Sequence, residues 1–186
     1  HSRVWSRASD SVGATLRQPR LWLAALHGGF FFTIVGAFGG LWGGPFLRAR
    51  LDVSFEEANR LLSVLFLAGA IGAPILGLIA TRVRWRGPTL IIASFGCALF
   101  SSMLILARLP EGAVVFLLFG LGFFAGGFAL DLAFVRELVT ERMQGFALGT
   151  ANLVLGIIAG PLMLMLIAGT LEGAGMEGTV TASNAS

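Results

Sequence analysis

GLIATRVRWRGPTLI, residues 77–91, decides how the chain is read. An apolar run ends, Arg82, Arg84 and Arg86 crowd into a few positions, and Gly87-Pro88 opens a second apolar run. Arginines concentrated in so tight a turn make sense if the runs on both sides cross a bilayer and the turn is held at one face. The rest of the sequence supports that reading. The 186 residues are 56% hydrophobic and 12% charged, and the mean hydropathy is +0.85. A water-soluble domain carries about twice that share of charge, so lipid is the solvent indicated.

Charge-free intervals run over 21–47, 61–81, 87–107, 112–130 and 143–171. A helix crosses the hydrocarbon in ~20 residues, so each is long enough to span. The ~10-residue alternating segments of a membrane β-barrel do not occur. The expectation is an all-α membrane protein with five transmembrane helices, at about 21–47, 55–81, 87–107, 112–135 and 143–171. Ser54-Phe55-Glu56-Glu57 has the form of a capping box, which starts the second helix near Phe55. Glu56 and Arg60 are spaced for an i,i+4 pair on its first turn. Pro74 and Pro161 fall inside spans, where lipid-embedded helices tolerate them and often kink.

Every basic residue is arginine, and their placement gives the sidedness. Arg3, Arg7, Arg17, Arg20, the triplet, Arg136 and Arg142 fall on one side; Arg48, Arg50, Arg60 and Arg108 fall on the other. Positive charge in short loops stays in the cytoplasm, so the N-terminus is expected inside and the polar tail outside. Glycines four apart, at Gly36/Gly40/Gly44, Gly122/Gly126, Gly145/Gly149 and Gly156/Gly160, are expected to let the first, fourth and fifth helices pack closely.

Several function classes are disfavoured. The arginines form no continuous basic face for a nucleic acid. Cys97 is the single cysteine, so no intrachain disulfide or cysteine-based metal site is possible. Two histidines, one cysteine and one span-end aspartate are too few for a membrane-embedded enzyme's catalytic cluster, and no cofactor or metal is expected.

The order of these features resembles the C-terminal six-helix half of the major facilitator superfamily (MFS). GLIATRVRWRG is similar to that family's G-x-x-x-D-R-x-G-R-R loop between the eighth and ninth helices. Gly77, Arg82 and Arg86 match it; Thr81, Arg84 and Trp85 depart from it. AFGGLWGGPFL (37–47) resembles the seventh helix of a bacterial branch often written L-W-G-x-P-F-L, a branch that includes lysosomal dipeptide carriers and their bacterial relatives. RELVTERMQGFALGTANLVLGIIAGPLM (136–163) is similar to that branch's tenth-to-eleventh loop and eleventh helix.

The resemblance implies five helices, the seventh to eleventh, of a six-helix domain. Residues 1–20 are then a cytoplasmic linker, 21–171 the bundle, and 172–186 an external tail before a last helix that is missing. It implies a fragment of a secondary active transporter, moving a small solute across the inner (plasma) membrane by alternating access and coupled to protons. Its partners would be the solute, the lipid bilayer and the N-terminal half of the same transporter, with no nucleic acid. A non-transporting scaffold or receptor built on the same helices is the alternative, and an enzyme is the more distant one.

Polar residues on the expected cavity helices are the candidates. Asp131 comes first, because an ionisable group in a span costs at least ~2.5–3.5 kcal/mol at the bilayer centre and marks function by default. It could carry a coupling proton, or sit near the inner interface neutralised by Arg136 or the triplet. His27 titrates near neutrality and could relay protons, or serve as an interfacial hydrogen-bonding residue. Asn152 could meet solute or a neighbouring helix, and Trp42 could line the outer cavity or anchor at the interface. Gly77, Arg82 and Arg86 are candidates for a cytoplasmic gating loop. Phe30-Phe31-Phe32 is read as packing or lipid-facing surface.

Overall fold

A computed structural model describes residues 12–83, 86–106, 110–154 and 156. The fold is helical throughout these residues. Helix α1 spans Pro19–Leu51, α2 Phe55–Arg82 and α3 Arg86–Leu106. Helices α4 (Glu111–Ala125) and α5 (Phe128–Glu137) are two pieces of one membrane-length rod, and α6 is Gln144–Leu153. Four rods, Pro19–Leu51, Phe55–Arg82, Gly87–Leu106 and Gly112–Glu137, are long and apolar enough to cross a bilayer. Of the fifth expected span, only the stretch through α6 and its immediate continuation lies among the described residues. Pro161, Trp85, Arg84 and Arg108, most of the 1–20 linker and all of the 172–186 tail lie outside them.

Local chemistry sets the helix ends. Ser54 Oγ accepts from the Glu57 backbone N–H at 3.2 Å, and the Ser54 N–H donates to Glu57 Oε2 at 3.1 Å, so the capping box is complete. The Glu56–Arg60 pair also forms, at 3.7 Å, but both side chains are largely exposed, which makes it worth little. Pro19 opens α1 at a position where a missing N–H costs no intrahelical bond. Asp52 ends α1 with φ 53°, a left-handed cap that aspartate adopts more readily than most side chains. Helix α2 continues through Pro74 without interruption.

Two spans depart from the uniform α-helices expected. Within α1, Ile34–Trp42 is a π-helix, whose i→i+5 bonding widens the turn and shifts the phase of side chains on either side. Gly36, Gly39 and Gly40 lie inside it. Between α4 and α5, the Gly127 N–H bonds to Phe124 O at 2.9 Å and the Leu130 N–H to Gly127 O at 2.8 Å. These i→i−3 bonds tighten the backbone at Gly126-Gly127 and split the rod.

The core is built on the crossing of α2 with α4, the most extensive contact in the bundle. A methyl group on Gly122 would collide with Leu65 O, and one on Gly72 with Phe123 O. One on Gly126 would stand 2.6 Å from the Ala73 nitrogen. With no hydrophobic effect between helices in lipid, such backbone approach supplies the van der Waals contact that holds them. The expected close packing of the fourth helix is therefore present, and its partner glycine is Gly72 on α2. The other glycine series behave differently: Gly44 on α1 meets Asn59 and Phe55 of α2, but Gly40, Gly145, Gly149 and Gly156 face open space, Gly36 meets only Phe32 of its own helix, and Gly160 lies outside the described residues. Spacing alone cannot say which way a glycine points.

Helix α3 packs on α4 by a reciprocal arrangement in which Phe124 covers Gly96 and Phe100 covers Gly120. The two rings stack at 5.8 Å. On its other face Ile91, Phe95 and Leu99 point outward at i,i+4 spacing, a surface suited to lipid. A second cluster joins α1, α5 and α6 through Leu21, Ala25, Val135, Ala147 and Ala151.

Gly72→Ala is expected to destabilise the bundle by roughly 1–3 kcal/mol, the usual range for overpacking. Gly77, on the same helix with open space beside it, is the control: Gly77→Ala should leave stability unchanged or slightly raised. Denaturant titration of both variants in lipid or detergent measures the difference.

Candidate proton site and mid-membrane cavity

Asp131 is the buried charge-bearing side chain among the described residues, at 2% exposure. It lies on α5, one turn past the Gly126-Gly127 break. Its Oδ1 is 2.9 Å from Nδ1 of His27 on α1. The other imidazole nitrogen, Nε2, is 2.8 Å from Oγ of Ser94 on α3, and that hydroxyl in turn donates to the Leu90 carbonyl at 2.8 Å. Three helices thus contribute one side chain each to a single hydrogen-bonded chain.

The local sequence makes room for it. Gly28 lies against the carboxylate; a methyl group there would stand 3.2 Å from Asp131 Cβ. Phe31, 3% exposed, sets its ring 4.9 Å from the imidazole. The imidazole itself is 35% exposed, so it connects the buried acid with the outside of the bundle. Asp131 Oδ2 has no hydrogen-bond partner among the described residues. A buried carboxylate oxygen is costly unless a proton or another donor satisfies it.

All three residues sit at a similar level. At ~1.5 Å per residue, His27 is roughly 12 Å from Pro19, Ser94 roughly 12 Å from Arg86, and Asp131 roughly 9 Å from Glu137. These helix ends belong to the same end of the bundle as the arginine triplet.

A cavity of about 260 Å³ lies one turn deeper, lined by α1, α2 and the α4–α5 break. Its walls include Phe32, Val35, Phe66, Gly69, Gly126 and Phe128. These residues fall near the midpoints of all three rods. The π-helical segment and the split at Gly126-Gly127 both border it; such helix discontinuities at mid-membrane commonly form transport sites. The Phe32 and Phe128 rings, 5.9 Å apart, both line the cavity; Phe32 lies one turn from Gly28 along α1, and Phe128 one turn before Asp131 along α5. The lining is almost entirely apolar.

The structure brings together two of the residues singled out from sequence, His27 and Asp131. Arg136, considered above as a partner for Asp131, is exposed near the end of α5 instead. Trp42 is 37% exposed where the π-helix ends, and Asn152 is exposed on α6. Gly77 faces open space, Arg82 is exposed at the end of α2, and Arg86 begins α3. Phe30 and Phe32 are outward-facing to different degrees, whereas Phe31 is core. Ser94 was not singled out. Its signal was a hydroxyl within a charge-free span at the depth of His27.

A sequence model of the Major Facilitator Superfamily matches residues 3–163. The chain belongs to that family. Members move small solutes across lipid bilayers, so this is a multi-pass membrane protein of transporter rather than enzyme type. No curated protein and no solved structure matches the chain.

Replacing His27 with Leu removes the partner of a fully buried carboxylate, whereas His27→Asn keeps a hydrogen-bond donor in reach. The first is expected to lose roughly 1–3 kcal/mol of stability, the cost of orphaning a buried polar group, and the second distinctly less. Unfolding in detergent micelles ranks the two variants.

Proposed function

We propose that the chain forms most of the C-terminal half, the seventh to eleventh helices, of a proton-coupled secondary active transporter that works by alternating access. The observation that carries this reading is the Asp131–His27 pair. A carboxylate is buried in a lipid-embedded bundle, one of its oxygens has no partner among the described residues, and its neighbour is the side chain best suited to exchange protons near neutrality. Placing charge at that depth is expensive, and function is the usual reason for keeping it. In this reading His27 passes the proton between the exposed side of the bundle and Asp131. Helices α1 and α5 carry the pair next to the two irregular backbone segments, so a change of protonation acts where the helices are easiest to repack.

The solute binds in the mid-membrane cavity, against its apolar wall, with the remaining contacts supplied by the N-terminal half. The resemblance of 37–47 to the dipeptide-carrier branch puts dipeptides first among the solutes to try. Arg82 and Arg86 hold the α2–α3 turn at the cytoplasmic face of the inner membrane, beside the N-terminal linker. Thr81 stands where the family loop has an acid, which leaves electrostatic anchoring as the stronger role for this turn.

Two experiments test the reading. Uptake of dipeptides, sugars, organic acids and amine drugs by vesicles carrying the full-length transporter is followed as the pH gradient is varied. Asp131→Asn is expected to abolish the pH dependence of whichever solute moves; a variant that retains it removes Asp131 from proton coupling. Separately, a reporter fused after residue 85 is expected to remain cytoplasmic, and an external reporter overturns the proposed orientation.

A further inference from the structure

Hydrogen-bond bookkeeping at His27 carries one step beyond the pair. A serine hydroxyl has a single proton to donate and lone pairs to accept with. Ser94 Oγ lies 2.8 Å from both the Leu90 carbonyl and His27 Nε2, so when its proton goes to Leu90 O the second contact is a hydrogen bond in which Nε2 carries the hydrogen. The proton between Nδ1 and Asp131 Oδ1 is then either on the imidazole or on the acid. In both cases the pair holds two exchangeable protons and is electroneutral. This is the arrangement least penalised in a low-dielectric interior.

If one proton leaves, the pair becomes a carboxylate beside a neutral imidazole. The Nδ1–H is retained by the charge of Asp131, and Nε2 is left as a bare acceptor. Ser94 can satisfy it by turning its hydroxyl from Leu90 O to Nε2. The Leu90 carbonyl loses only the side-chain bond, since it lies within the helical ladder of α3.

We propose that Ser94 is a positioning residue for proton exchange, its hydroxyl pointing to the Leu90 carbonyl when His27 Nε2 is protonated and to Nε2 when that proton has left. The Nε2–H bond breaks, the proton passes to water at the exposed side of the imidazole, and the Ser94 O–H rotates about its Cβ–Oγ bond. Reloading reverses each move. The serine thereby keeps both protonation states fully bonded at Nε2 and lowers the barrier between them. Thr33 and Thr150, bonded to their own helix carbonyls, share the first of these contacts but have no imidazole opposite.

Few other charges bear on the site among the described residues. Helix α3 after Arg86 and the whole of α6 carry no charged residue. On α5 the charged residues besides Asp131 are Arg136 and Glu137, both exposed in its last turn. Arg17 and Arg20 are exposed at the near end of α1.

The inference deepens the proton-coupling reading and rests on it for its role in transport, though the hydroxyl switch can be observed by itself. The full-length protein with histidine ring nitrogens labelled, the His27 signals being those lost in His27→Asn, is titrated in lipid nanodiscs and read by nitrogen NMR. On raising the pH, Nε2 is expected to lose its proton while Nδ1 keeps it. Ser94→Ala should shift the Nε2 resonance in both states and leave Nδ1 nearly unmoved, and Ser94→Thr should restore the wild-type Nε2 signal. In vesicles, Ser94→Ala should slow solute-driven proton movement about fivefold, the equivalent of one neutral hydrogen bond of ~1 kcal/mol, with recovery in Ser94→Thr.

A high-pH form that keeps Nε2–H overturns the proposal, because Ser94 has then stayed on Leu90. So does an Nε2 signal indifferent to Ser94→Ala. If the alanine protein fails to fold, the first result is still read from the wild type, and a Ser94→Cys variant, with a much weaker donor, replaces alanine in the second. Persistence of pH-dependent transport in Asp131→Asn, with the NMR behaviour as expected, instead removes the coupling role and leaves the hydroxyl switch standing.

Discussion

Lipid offers a helix neither hydrogen bonds nor a hydrophobic drive toward its neighbours, and the bundle is shaped by both deficits. The first requires each backbone to satisfy itself, which is why the described chain is helical and why its exceptions are confined to protein-lined places. The second requires helices to touch through their backbones. Gly72 and Gly122 let α2 and α4 approach until a single methyl group would not fit between them. The remaining rods are arranged around that crossing. Helix α3 locks onto α4 with phenylalanine rings seated over Gly96 and Gly120, and the π-helical part of α1 rests its Gly39 on Leu65 and Phe66 of α2.

This packing explains how an acid can be held inside. The break at Gly126-Gly127 lies at the crossing itself, with Gly126 pressed against α2. The break redirects the rod into α5, and α5 carries Asp131 to a position over Gly28, where His27 meets it. The site is therefore a consequence of how the non-polar interior is assembled. The same irregularity forms one wall of the apolar cavity. Cavity and proton site thus share a backbone element, with Phe128 and Asp131 both on α5.

How much of the site was legible can be judged residue by residue. Asp131 and His27 were visible because a titratable group inside an apolar run is rare for energetic reasons. Their contact was not visible, because they are far apart in sequence and helical spacing fixes depth but not azimuth. Arg136 looked the more natural partner for Asp131, being close in sequence; the tertiary arrangement exposes it. Ser94 was missed because serine in a membrane helix usually bonds its own backbone, as Ser94 also does, and its second contact is with another helix. The alignment in depth of His27, Ser94 and Asp131 was implicit in the span boundaries, and it was the available clue.

The amino-acid order by itself determined the lipid environment, the presence of several membrane-length helices, the capping of α2 and the family. These follow from run length, charge placement and short motifs, all local quantities along the chain. Only the tertiary structure decided which glycines meet a neighbour, where α1 and the fourth rod depart from α-helical geometry, and which polar side chains converge. Those outcomes depend on the rotation of each rod about its axis. That rotation is set by the sum of many small contacts between helices, a quantity no single stretch of sequence contains.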